Sequence, residues 1–98
     1  MSDYEEKFGT LARVYGEAVC ERLRRAHVCV IGIGGVGSWA VEALARSGIG
    51  ELTLVDGDTI ARSNMNRQVH TLESSIGRYK VSAMQARISD INGECRTH

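Results

Sequence analysis

The sequence has no proline and little aromatic character, with one Trp, one Phe and three Tyr among 98 residues. Its elements must therefore be delimited by glycine, of which there are eleven. Net charge is also absent. Twelve Lys+Arg balance twelve Asp+Glu, which excludes a generic polycation held to nucleic acid by bulk electrostatics. No stretch reaches the ~18–20 apolar residues of a membrane span. The opening Met1–Lys7 is acidic and polar, unlike the cationic-then-apolar pattern of a signal peptide, and this predicts a cytoplasmic protein. Three widely spaced cysteines (Cys20, Cys29, Cys95) with no CxxC pair support neither a disulfide framework nor a zinc site, and no metal ligand is assigned. Lysine is scarce: Lys7 and Lys80 are the only two.

Against these absences stands a clear alternation of period. Residues 14–25 read as an amphipathic helix, with Val14, Ala18, Val19 and Leu23 at helical spacing among charged residues. His27–Ile31 is a short β-branched run, as in a strand covered on both faces, and Glu51–Val55 is a second. Between them, Ser38–Ser47 is a helix whose repeating residues are Trp39, Ala43 and Leu44, stopped by Gly48 and Gly50. Residues 57–66 are polar loop. Tyr79–Ile91 is a further helix with Val81, Met84, Ile88 and Ile91 on one stripe, and a third strand would begin within Glu94–His98.

Strands alternating with helices predict an α/β fold: a Rossmann-like, doubly wound parallel sheet with right-handed crossovers. Only its N-terminal β-α-β-α portion is expected here, preceded by a helix. Residues 1–26 form a helical N-terminal segment and residues 27–98 the nucleotide-binding part, with the remainder of the domain absent. Two parallel strands cannot stand alone, because such sheets need more partners and both faces covered.

Gly32, Gly34 and Gly37 form a GxGxxG in its meaningful context, directly after a strand and opening a helix. Such a turn lets the backbone approach phosphate, and the helix N-terminus offers N–H groups and a positive dipole end. Asp56, at the end of the second strand and 24 residues beyond Gly32, is placed to accept ribose hydroxyls. The ordinary inference is an NAD-dependent oxidoreductase. The next segment argues against it. Asp56–Gln68 places Asn64, Asn66, Arg67 and Gln68 past the carboxyl end of the strand, and Lys80 follows Arg67 by thirteen residues. A planar Arg fork and a Lys point charge beside a phosphate-type turn favour a triphosphate.

These segments carry a resemblance. Gly32–Ser38, Leu54–Asp58, Ser63–Gln68 and Gly77–Lys80 resemble, in order and spacing, the adenylation domain of the ubiquitin-activating-enzyme superfamily. Within it, Lys7–Gly16 and Ser38-Trp39-Ala40 are similar to the branch that uses ATP to cyclise threonylcarbamoyladenosine in tRNA. The resemblance implies ATP and Mg²⁺, with activation of a carboxylate as its acyl-adenylate. It implies that Gly35 faces the phosphates, that Asp56 holds the ribose, and that Ser63, Asn64 and Arg67 lie at the phosphates, with Lys80 stabilising charge. Arg13 would reach the partner subunit's triphosphate in a homodimer. The magnesium-binding acid is expected beyond residue 98. A sulfur-carrier protein C-terminus is an alternative substrate, and a sulfur carrier or cysteine desulfurase an alternative partner. An NAD oxidoreductase and a non-catalytic nucleotide-binding module are the other readings. Cys29 is expected in the core, His70 in a loop or packing role, Trp39 in packing, and Asp58 in positioning the loop.

Overall fold

The computed structural model describes residues 2–98. The chain opens with three short helices, α1 (Asp3–Phe8), α2 (Ala12–Tyr15) and α3 (Glu17–Arg25), with a 3₁₀ turn at Gly9–Leu11 between the first two. The single helix expected over residues 14–25 is therefore two. Gly16, at φ +85°, ends α2 and precedes α3. Most of the predicted stripe is solvent-facing as well: Val14, Ala18 and Val19 are exposed. Its spacing marks an amphipathic surface that no other element of this chain covers.

Both apolar runs become strands with the predicted bounds, β1 (His27–Ile31) and β2 (Glu51–Val55). They pair in parallel, His27 opposite Glu51 and Ile31 opposite Val55. Helix α4 (Gly37–Arg46) forms the crossover between them, and α5 (Lys80–Ile91) leads to a short β3 (Arg96–Thr97). Strand β3 lies parallel along the other edge of β2, giving the order β1-β2-β3. This order begins a doubly wound sheet.

The core lies between the sheet and the α4–α5 layer: Ile33, Val41, Ala45, Ile49, Leu52, Leu54, Met84 and Ile88. Each large aliphatic side chain there contributes about 1.5–3 kcal/mol by leaving water. The α5 stripe is as expected, with Met84 and Ile88 fully buried. The α4 stripe is not. Ser38, Val41, Glu42 and Ala45 face inward, while Trp39 is half exposed. Small apolar residues surround most of α4, so periodicity alone does not select its inner face.

The second face of the sheet is open in this chain. His27, Cys29 and Ile31 of β1 are exposed while Val28 and Val30 turn toward the core. The expectations of a strand covered on both faces and of a core Cys29 are thus corrected. A β-branched run is compatible with either environment, and which face is covered depends on elements beyond the strand itself.

Candidate nucleotide site

The turn after β1 is built by two glycines, one favoured by its backbone angle and one required by a close approach. Gly32 adopts φ +88°, and a Cβ on Gly37 would sit 1.8 Å from the Gly32 carbonyl oxygen. The backbone therefore folds tightly into α4, and Gly32 N–H donates to the Val55 carbonyl at 2.8 Å. The N–H groups of Gly34, Gly35 and Val36 have no hydrogen-bond partner among the described residues. They are the orphan donors of a helix start, a ready seat for an anion.

Asp56 ties this turn to the loop beyond β2. Its carboxylate accepts from Ile33 N–H at 2.7 Å and from Asp58 N–H at 2.8 Å. Burial raises the Asp56 carboxyl, but these two donors and the nearby Lys80 charge outweigh it and leave it below its usual value. The group is an anion at neutral pH, with a lone pair left on each oxygen for a hydroxyl donor. Asp58 performs the expected loop-positioning role through its backbone, its carbonyl accepting from Lys80 N–H at 3.0 Å.

Arg67 lies against the turn. A Cβ on Gly35 would stand 3.7 Å from Arg67 Cγ, ordinary van der Waals contact, so the arginine stem packs directly on the turn. The Arg67 guanidinium donates to the Ser63 carbonyl at 3.0 Å and to Asn66 Oδ1 at 3.1 Å. The Trp39 indole N–H donates to the Arg67 carbonyl at 2.9 Å, so Trp39 holds the loop instead of filling the core. Asn64 is buried, and its Oδ1 accepts from Ala61 N–H at 2.9 Å, closing the 3₁₀ turn at Arg62–Asn64.

Lys80, the first residue of α5, is 8% exposed and makes no ion pair among the described residues. Its nearest acid influence is Asp56, which feels its charge without a salt bridge, so the ammonium is available to an anionic ligand. His70 is buried as well and is structural. Its Nε2–H donates to the Ile33 carbonyl at 2.9 Å, and burial, opposed by that bond, holds the imidazole below its ordinary value.

Of the predicted site residues, the turn glycines, Asp56, Ser63, Asn64, Arg67 and Lys80 are brought to one end of the sheet. Arg13 is not. It is exposed on α2 and lines a groove of about 830 Å³ formed by the N-terminal helices. Gln68 was missed as a site residue although it belongs to the Asn-Arg-Gln run. It is 7% exposed, its Nε2 lies beside Gly34, and its Oε1 has no partner among the described residues.

Residues 4–98 match the model of the ThiF family. The chain belongs to that family. It is 55% identical to the tRNA threonylcarbamoyladenosine dehydratase of Haemophilus influenzae over 95 residues, covering 97% of this chain and 36% of the relative. It superimposes on the crystal structure of the E. coli tRNA N6-threonylcarbamoyladenosine dehydratase in complex with ATP with a TM-score of 0.95 and 52% identity. That match covers 98% of this chain and 40% of the other. The molybdopterin-synthase adenylyltransferase of Salmonella typhimurium is 40% identical over 72 residues, covering 74% of this chain and 29% of the relative. This ThiF-family chain thus spans about a third of the length of the curated relatives it matches. No helix of the described residues is long and apolar enough to cross a membrane.

Proposed function

We propose that this chain supplies the nucleotide-binding portion of a cytoplasmic, ATP-dependent enzyme that activates the threonylcarbamoyl carboxylate of a modified tRNA as its adenylate. The observation that carries the reading is Lys80: a largely buried lysine in no salt bridge among the described residues, at the same end of the sheet as an N–H-lined glycine turn bordered by Arg67. An NAD pyrophosphate needs the turn and Asp56 but gives Arg67 and Lys80 no task. The higher identity to threonylcarbamoyladenosine dehydratase than to a sulfur-carrier adenylyltransferase favours the tRNA substrate.

Each residue then has a role. The N–H groups of Gly34, Gly35 and Val36 receive phosphate oxygens, and Gly32 and Gly37 keep the backbone close enough to do so. Asp56 accepts the ribose hydroxyls. Ser63 and Asn64 shape the loop that presents Arg67, whose guanidinium exchanges its present carbonyl partners for phosphate. As the substrate carboxylate attacks the α-phosphate and pyrophosphate departs, negative charge grows there, and Lys80 and Arg67 stabilise it. Attack by the neighbouring amide nitrogen on the acyl-adenylate carbonyl then expels AMP and closes the ring, the amide proton being released and the substrate losing the elements of water overall. Asp56 has both oxygens on backbone N–H groups, so it fits a ribose better than a magnesium ion.

Arg13 is proposed to act in trans, from the partner in a homodimer, in the manner of an arginine finger. Its distance in sequence from the β-α-β unit and its exposed position on α2 support this. The decisive measurement is pyrophosphate release by the intact protein with threonylcarbamoyl-modified tRNA, against release with a sulfur-carrier protein. Release with the carrier alone, or tighter calorimetric binding of NAD than of ATP, overturns the reading.

A further inference from the structure

The open face of the sheet carries a second cluster of chemistry at the end opposite the glycine turn. His27 is the first residue of β1 and Glu51 the first of β2, and the two are paired in register. His98 follows β3, its N–H donating to Leu52 O and its carbonyl accepting from Leu54 N–H, which anchors it to β2 from the other side. Glu51 thus stands between two imidazoles brought from residues 24 before and 47 after it in sequence. One ligand atom from each of the three groups lies within 4.8 Å of the others. Glu51 Oε2 is 2.6 Å from His98 Nε2 and 3.9 Å from His27 Nδ1.

The remaining polar atoms of two of these groups are already engaged. His27 Nε2 is 2.6 Å from Thr53 Oγ1; in the tautomer in which Nε2–H donates to that hydroxyl, Nδ1 carries the lone pair. Arg96 Nη2 donates to Glu51 Oε1 at 2.9 Å, which turns Oε2 toward the imidazoles. An outer hydrogen bond on the far nitrogen of a ligating histidine, and another on the far oxygen of a ligating carboxylate, is the arrangement that orients metal ligands.

We propose that His27 Nδ1, Glu51 Oε2 and His98 Nε2 form a binding site for a zinc-class divalent metal ion that staples the three strands together. Two imidazoles and one carboxylate suit Zn²⁺, Co²⁺ or Ni²⁺ and disfavour the oxygen-seeking Mg²⁺. The fourth position faces solvent. The site lies at the amino ends of the strands, away from the nucleotide turn at their carboxyl ends, so its role is structural. The Arg96 charge on Glu51 opposes a cation and sets a modest affinity.

Calorimetry with ZnCl₂ on chelator-treated protein tests this. One ion per chain is expected, with micromolar affinity and a rise in the thermal midpoint that MgCl₂ does not produce. Glu51→Gln and His27→Ala should abolish the midpoint rise. Thr53→Val should weaken binding by about tenfold, the usual effect of losing an outer partner. Cys29→Ser, on the same face, should change nothing, and the Co²⁺ adduct should show no thiolate charge-transfer absorption. The proposal falls if zinc does not bind, if binding survives Glu51→Gln and His27→Ala together, or if Cys29→Ser removes it.

Discussion

Lys80 is 8% exposed and forms no salt bridge among the described residues, and Asp56 is the carboxylate that feels its charge. Replacing it with Met should shrink the rise in thermal midpoint that ATP produces; differential scanning fluorimetry reads it. Lys80→Ala should lower turnover by roughly 10²–10³-fold, the scale of losing one preorganised donor, with a smaller fall in ATP affinity. Stopped-assay kinetics beside equilibrium binding separates the two. Gly37 makes a different demand. A methyl group there meets the Gly32 carbonyl oxygen at 1.8 Å, so Gly37→Ala should destabilise by about 1–3 kcal/mol or more in urea unfolding. At this scale the grouping of the candidate site was largely legible, because the glycines, Asp56, Arg67 and Lys80 stand out by type and spacing and the fold brings them to one end of the sheet. Gln68 and Trp39 did not. Their roles depend on a loop folding back over the turn, with Trp39 N–H reaching a backbone carbonyl 28 residues away.

Helices α4 and α5 are joined by charge as well as by apolar contact. Glu42 is 7% exposed and receives Arg46 Nε at 2.8 Å from its own helix and Arg87 Nε at 2.6 Å from α5. Burial raises the Glu42 carboxyl, but the two guanidinium partners outweigh it and leave it below its ordinary value. A carboxylate lowered on folding stabilises above its unfolded value and loses that contribution as pH falls through the folded one. Arg87→Ala should thus destabilise by about 1–3 kcal/mol at pH 7, below the full cost of breaking a buried pair because Arg87 retains solvent contact. The difference from the parent should shrink at pH 3, as measured by urea unfolding at both pH values. Sequence reading placed the strands by residue, since β-branched runs bounded by glycine leave little freedom. It missed the inner face of α4, because an acid at position 42 reads as surface until Arg87 is known to lie opposite.

The whole molecule is a one-sided sheet with a helical N-terminal segment, and Arg13 sits in that segment, exposed. If it serves a partner's site, mixing Arg13→Ala with Lys80→Ala chains, each nearly inactive, should restore activity to about a quarter of the parent value. Half the dimers are then mixed and each carries one complete site. Recovery is read by pyrophosphate release after subunit exchange is demonstrated; its absence assigns Arg13 to its own chain or to none. The sequence announced the topology through its alternating periods, but not the open face, since nothing in His27–Ile31 specifies what lies across from it. That open sheet has a further consequence at the outer edge of β1, which pairs with β2 on one side only. Backbone amides in a strand point alternately left and right, so every second N–H of His27–Ile31 faces β2 and the others face water. Deuterium labelling of this chain should read β1 as a ladder of slow and fast rungs in alternation. A slow front across all five residues would reveal a further strand seated on that edge.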